Sequence, residues 1–70
     1  MHDIKMNYYY GFRQIKPSPP GAWVLCGGNT DKNQVESERY NSMAWDCELS
    51  PIFSASSRSE AKAIIERMNA

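Results

Sequence analysis

The segment that most constrains this chain runs from Ser57 to Ala70. Ala61, Ile64, Ile65 and Met68 recur at i, i+3, i+4 and i+7, the spacing that puts four apolar groups on one face of a helix. Ser57 followed by Glu60 forms a capping box: a serine oxygen for an orphan N–H of the first turn, and a glutamate able to reach back to the cap. Arg67, near the other end, complements the negative pole of the helix dipole. A helix of this length is marginal alone in water. Its apolar face needs a partner, and only strand-like runs upstream can supply one.

Seventy residues make one small domain, spanning 1–70. A domain this small buries only about 60% of the surface its unfolded chain exposes. Eight Lys and Arg balance eight Asp and Glu, so no net charge drives binding to nucleic acid or membranes, although a local patch still can. Cys26 and Cys47 are separated by 21 positions; with His2 as the lone histidine they cannot make up a four-ligand zinc site. They read as two small apolar side chains in strands. Residues 1–7 lack the apolar stretch of a secretory leader, and no run reaches membrane-spanning length. The expected setting is a reducing cytoplasm.

Three strands are predicted upstream. Tyr8–Ile15 is aromatic and β-branched, with Ile4 and Met6 as a lead-in. Tyr8, Tyr10 and Phe12 share one face; Tyr9, Gly11, Arg13 and Ile15 share the other. The first face is assigned to the helix. Gly11 implies a bulge or a close approach by a bulky group. Pro17, Pro19 and Pro20 end the strand, because proline has no N–H for a ladder; the segment reads as a stiff hairpin connection. Its P-x-x-P spacing also fits an aromatic groove. Ala22–Cys26 is the second strand, with Trp23 and Leu25 on one face, ended by the turn residues Gly27, Gly28 and Asn29. Met43–Leu49 alternates: Met43, Trp45, Cys47 and Leu49 face the core, while Ala44, Asp46 and Glu48 face water. The polar stretch Thr30–Ser42 reads as a long loop; the alternative is a short surface helix capped by Thr30 and anchored by Val35 and Tyr40. Asn29, Asp31 and Asn33 alternate as in a calcium loop, but Gln34 replaces the required glycine and no closing glutamate follows.

The expected fold is therefore α+β: a three-stranded antiparallel sheet with one C-terminal helix across one face. Its core is Tyr10, Phe12, Trp23, Leu25, Trp45, Cys47, Leu49, Phe53, Ala61, Ile64, Ile65 and Met68. No catalytic, cofactor or metal residues are expected. His2 has nothing nearby to orient it as a base. Asp46 and Glu48 form a carboxylate pair two apart, a pattern far commoner on a solvated sheet face than in an active site.

Two binding readings remain. Tyr8 to Arg13 displays rings beside an arginine, as in sheets that stack unpaired bases. Tyr10-Gly11-Phe12 faintly resembles the aromatic core of an RNA-recognition motif. Alternatively, surplus Tyr, Trp, Arg and Met match the composition of protein-interface hot spots. The partner surface would then comprise Tyr9, Arg13, Asp46 and Glu48 on the outer sheet face, with Asp31, Glu36, Glu38, Arg39 and Tyr40 from the polar segment. The layout resembles very small accessory proteins encoded by phages or mobile elements, in which a strand end such as Ile52-Phe53-Ser54-Ala55 precedes a capped helix like Ser57–Met68. That resemblance implies a non-enzymatic module binding a host or phage protein or ribonucleoprotein complex, as an inhibitor of a host enzyme or defence complex. The alternative is a single-stranded nucleic-acid binder. An exposed sheet edge also allows a homodimer.

Overall fold

A computed structural model describes residues 5–70; the expectations for His2 and Ile4 lie outside them. The chain order is β1 (Asn7–Gln14), β2 (Val24–Asn29), α1 (Lys32–Asn41), β3 (Cys47–Leu49), β4 (Phe53–Ala55) and α2 (Arg58–Met68). The α+β class and antiparallel sheet match expectation. Among the described residues, however, the sheet has four strands and there are two helices. No helix among the described residues is long and apolar enough to cross a membrane.

β1 is the spine of the sheet. β2 pairs along one side of it, while β3 and β4 share the other side end to end. Phe12, Arg13 and Gln14 face Leu49, Glu48 and Cys47, and Asn7, Tyr8 and Tyr9 face Ala55, Ser54 and Phe53. Ser50 fills the gap between the two short strands. Its N–H donates to the Gly11 carbonyl at 2.9 Å, and its Oγ accepts the Gly11 N–H at 2.6 Å. Gly11 causes no bulge. A Cβ there would lie 3.0 Å from the Trp23 ring and 3.1 Å from Ile65 Cδ1, so the expected close approach is what the glycine serves. The ladder irregularity falls instead between Tyr8 and Tyr9, opposite Gly27 and Gly28, whose φ angles are +90° and +113°. β2 therefore runs on through the residues read as its terminating turn.

The prolines fulfil the hairpin reading. Gly21 N–H closes the connection onto the Gln14 carbonyl at 2.7 Å, and residues 17–20 are exposed.

α2 forms where the capping box places it. Ser57 Oγ accepts the Glu60 N–H at 3.1 Å. The Glu60 carboxylate closes the box one residue earlier than expected, on the hydroxyl of Ser56 at 2.9 Å. Ala61 and Ile65 are buried and Ile64 and Met68 half-buried. The partner face is not the one assigned from sequence. Tyr9, only 2% exposed, packs with Ala55 and Ala61, with Leu25 and Phe53 alongside. The Tyr9 and Phe53 rings stack at 6.0 Å. Tyr9, Gly11 and Arg13 thus share the face that α2 covers.

The opposite face, with Tyr10 and Phe12, is covered by α1, in the stretch expected to be a loop. Asp31, not Thr30, is the cap: its Oδ1 accepts the Asn33 N–H at 2.9 Å, and Asn29 Oδ1 accepts the Asp31 N–H at 2.7 Å. The alternating Asn and Asp oxygens thus serve backbone N–H groups. Val35 is the buried anchor, and Tyr40 is 73% exposed.

The third predicted strand is shorter than expected. β1 ends at Gln14, and the N–H groups of Ile15 and Lys16 both turn to the Asp46 carbonyl. Residues 43–46 therefore have no ladder to join. Trp45, expected in the core, is 79% exposed, with the Lys16 ammonium 5.7 Å from its ring centroid.

Candidate functional site

The nine residues expected to form a partner surface divide into three groups. Tyr9 leaves the surface altogether, because α2 covers its face. Arg13, Asp46 and Glu48 form local pairs at the far end of β1. Arg13 Nε donates to Glu48 Oε1 at 2.6 Å, its guanidinium lies 4.8 Å from the Trp23 ring centroid, and Gln14 Nε2 donates to Asp46 Oδ2 at 3.0 Å. Asp46 is placed by a turn rather than by a strand, so it does not continue the Glu48 face as the alternation implied. Asp31, Glu36, Glu38, Arg39 and Tyr40 all belong to α1 or its cap.

The α1 group is split by helix geometry. Asp31 is occupied as the cap. Glu38 faces the sheet side near the Tyr10 hydroxyl, which lies 3.3 Å from Ser42 Oγ. Arg39 Nε donates to the Ser50 carbonyl at 2.7 Å and so fastens α1 to the segment bridging β3 and β4. Glu36 and Tyr40 project outward. Lys32, Glu36, Arg39, Tyr40 and Met43 follow helical spacing, and with Pro51 and Ile52 they line an open groove of about 480 Å³. Met43 is 54% exposed. Sequence reading missed Lys32, Met43, Pro51 and Ile52 as surface elements. The helical spacing of Lys32, Glu36, Tyr40 and Met43 carried the signal, once the segment is read as a helix.

Beneath α1, burial pushes the Tyr10 hydroxyl above its ordinary pKa; the Ser42 hydrogen bond opposes this and Glu38 adds to it. Burial likewise raises the Cys26 thiol, with the Glu38 charge reinforcing the shift. A raised thiol holds less thiolate, the reverse of what a nucleophilic cysteine needs. Among the described residues no cluster of three His, Cys, Asp or Glu could hold a metal ion. The rings on which the base-stacking reading rested are also withdrawn: Tyr9 and Tyr10 are each 2% exposed, and Tyr8 is half-buried. Chemically, the α1 groove offers an exposed aromatic ring, a flexible thioether, two cations and a carboxylate around an apolar floor.

No protein-family model, curated protein or solved structure matches the chain.

Proposed function

We propose that the chain is a non-enzymatic protein-binding module whose contact surface is the outer stripe of α1 and the adjoining Pro51–Ile52 segment. The observation that carries this reading is the exposure of Tyr40 and Met43, 73% and 54%, beside Arg39 and Glu36 on one groove. Tyr and Arg are enriched among interface hot spots, and Met adapts its shape to a partner. The groove is shallow and open, which suits a protein knob better than an enclosed small-molecule substrate. The resemblance to phage-type accessory proteins extends the reading to stoichiometric blocking of a host enzyme or defence complex.

Nuclease-treated affinity capture from host lysate tests it, comparing the parent with Tyr40→Ala/Met43→Ala. The expected outcome is a protein partner that survives nuclease and is lost from the double variant, with far-UV circular dichroism unchanged. Capture that depends on nucleic acid, or that persists undiminished in the double variant, removes the reading. The single-stranded nucleic-acid alternative keeps only Tyr40, Trp45 and nearby cations as a stacking surface. It predicts salt-sensitive oligonucleotide binding.

A further inference from the structure

The outer edge of β2 pairs with no strand among the described residues. The direction of its backbone groups follows from Gly11. Gly11 directs its N–H and C=O to Ser50, on the β3–β4 side. The Gly11–Leu25 position is therefore a non-hydrogen-bonded pair of the β1–β2 ladder, and Leu25 points its own N–H and C=O outward. Trp23, two residues earlier, points the same way. There the Asn69 side chain stands in for a strand: Trp23 N–H donates to Asn69 Oδ1 at 2.7 Å, and Asn69 Nδ2 donates to the Trp23 carbonyl at 3.1 Å. No comparable substitute reaches Leu25 among the described residues.

Beside this edge lies a groove of about 330 Å³ between β2 and α2, lined by Trp23, Leu25, Ile65, Arg58, Lys62 and Glu66. α2 runs antiparallel to β2. Asn69 is fixed to Trp23 at one end, and an Arg58 nitrogen lies 3.9 Å from the Cβ position of Gly28 at the other. Leu25 lies between these anchors, and its ladder partner Gly11 has Ile65 Cδ1 3.1 Å from its Cβ position, which sets Leu25 abreast of Ile65.

We propose that this edge pairs with the same edge of a second copy, about a two-fold axis through Leu25. Each Leu25 N–H then donates to the Leu25 carbonyl of the other copy. Val24, left 51% exposed in the single chain, comes opposite Cys26 of the second copy. The choice of occupant rests on charge. Lys62 and Glu66 lie on either side of Ile65 along α2, and both line the groove beside Leu25. A two-fold therefore sets Lys62 of each copy against Glu66 of the other, and symmetry supplies both pairs at once. An unrelated strand would have to bring its own matching charges. Asn69 sets the length of the joint ladder, because Trp23 is already occupied on each side.

Sedimentation of the purified full chain at low salt tests this. The expected result is a reversible monomer–dimer equilibrium. Lys62→Glu and Glu66→Lys should each weaken the dimer about tenfold, and Lys62→Glu/Glu66→Lys should restore it. Asn69→Ala frees Trp23 to pair with Gly27 of the second copy and should tighten it. Hydrogen exchange at the Leu25 amide should slow as concentration rises. A parent that stays monomeric to about 1 mM, or a dimer indifferent to both single reversals, overturns the proposal. So does a double reversal that folds but fails to restore association, or Leu25 protection seen only with a heterologous strand.

Discussion

Gly11 and Ser50 hold the middle of the sheet together. The Gly11 N–H is buried and its partner is a serine hydroxyl, not a strand. Ser50→Ala should therefore leave that donor unpaired and cost about 1–3 kcal/mol, read as a lower urea midpoint with an unchanged m-value. Gly11→Ala acts by a different route. The added methyl meets Trp23 and Ile65 near 3 Å, and overpacking of this kind costs about 1–3 kcal/mol. Tyr10 and Cys26 give the protein an alkaline limit. Both groups are held above their ordinary values, chiefly by burial. Their contribution is complete below the unfolded-state pKa values and is lost as pH rises through the folded ones. Urea midpoints should fall from about pH 9 upward, and Tyr10→Phe should flatten part of that decline.

The two helices differ in how they are held, and the difference explains why only one was visible in advance. α2 has a full apolar stripe and a capping box. Ile65→Ala should cost about 2–5 kcal/mol, and Ile64→Ala less, because Ile64 is only half-buried; paired thermal melts separate the two. α1 has one buried apolar residue, Val35, and a polar sequence that matches an exposed loop equally well. A ten-residue segment of this kind does not hold a helix by itself. Its order comes from the Asp31 cap, Val35, the Arg39–Ser50 bond and the Tyr10 hydroxyl beside Ser42. Val35→Ala should loosen α1 selectively, measured as faster amide exchange across residues 35–42 with β1 still protected. The same change should weaken partner capture, since the groove depends on α1 being in place.

At the scale of the molecule, neither face of β1 around Tyr9 and Tyr10 is open among the described residues. Helices cover the Tyr9 and the Tyr10 sides of β1, and the exposed groups lie instead on the outside of α1, along the β2 edge and around Trp45. Tyr9→Ala, which an outer-face reading treats as a binding variant, is a core truncation of about 3–5 kcal/mol, and its first effect should be loss of folded signal. The residues themselves determined the α2 stripe and its start, the proline hairpin and the side-chain parity of β1, because each follows from local spacing or from the shape of one residue. For Gly11 they left a bulge and a close approach open, and the packing of Trp23 and Ile65 chose the second. Parity grouped Tyr10 with Phe12 and Tyr9 with Arg13 correctly. It carried no information on which group meets α2, since tyrosine suits either side of a sheet. That choice, the ordering of α1, the division of one predicted strand into an exposed turn and short β3, and the exposure of Trp45 were decided only in the tertiary structure. Each depends on where β1 stops offering backbone partners and on contacts between segments far apart in the chain, which local pattern does not encode.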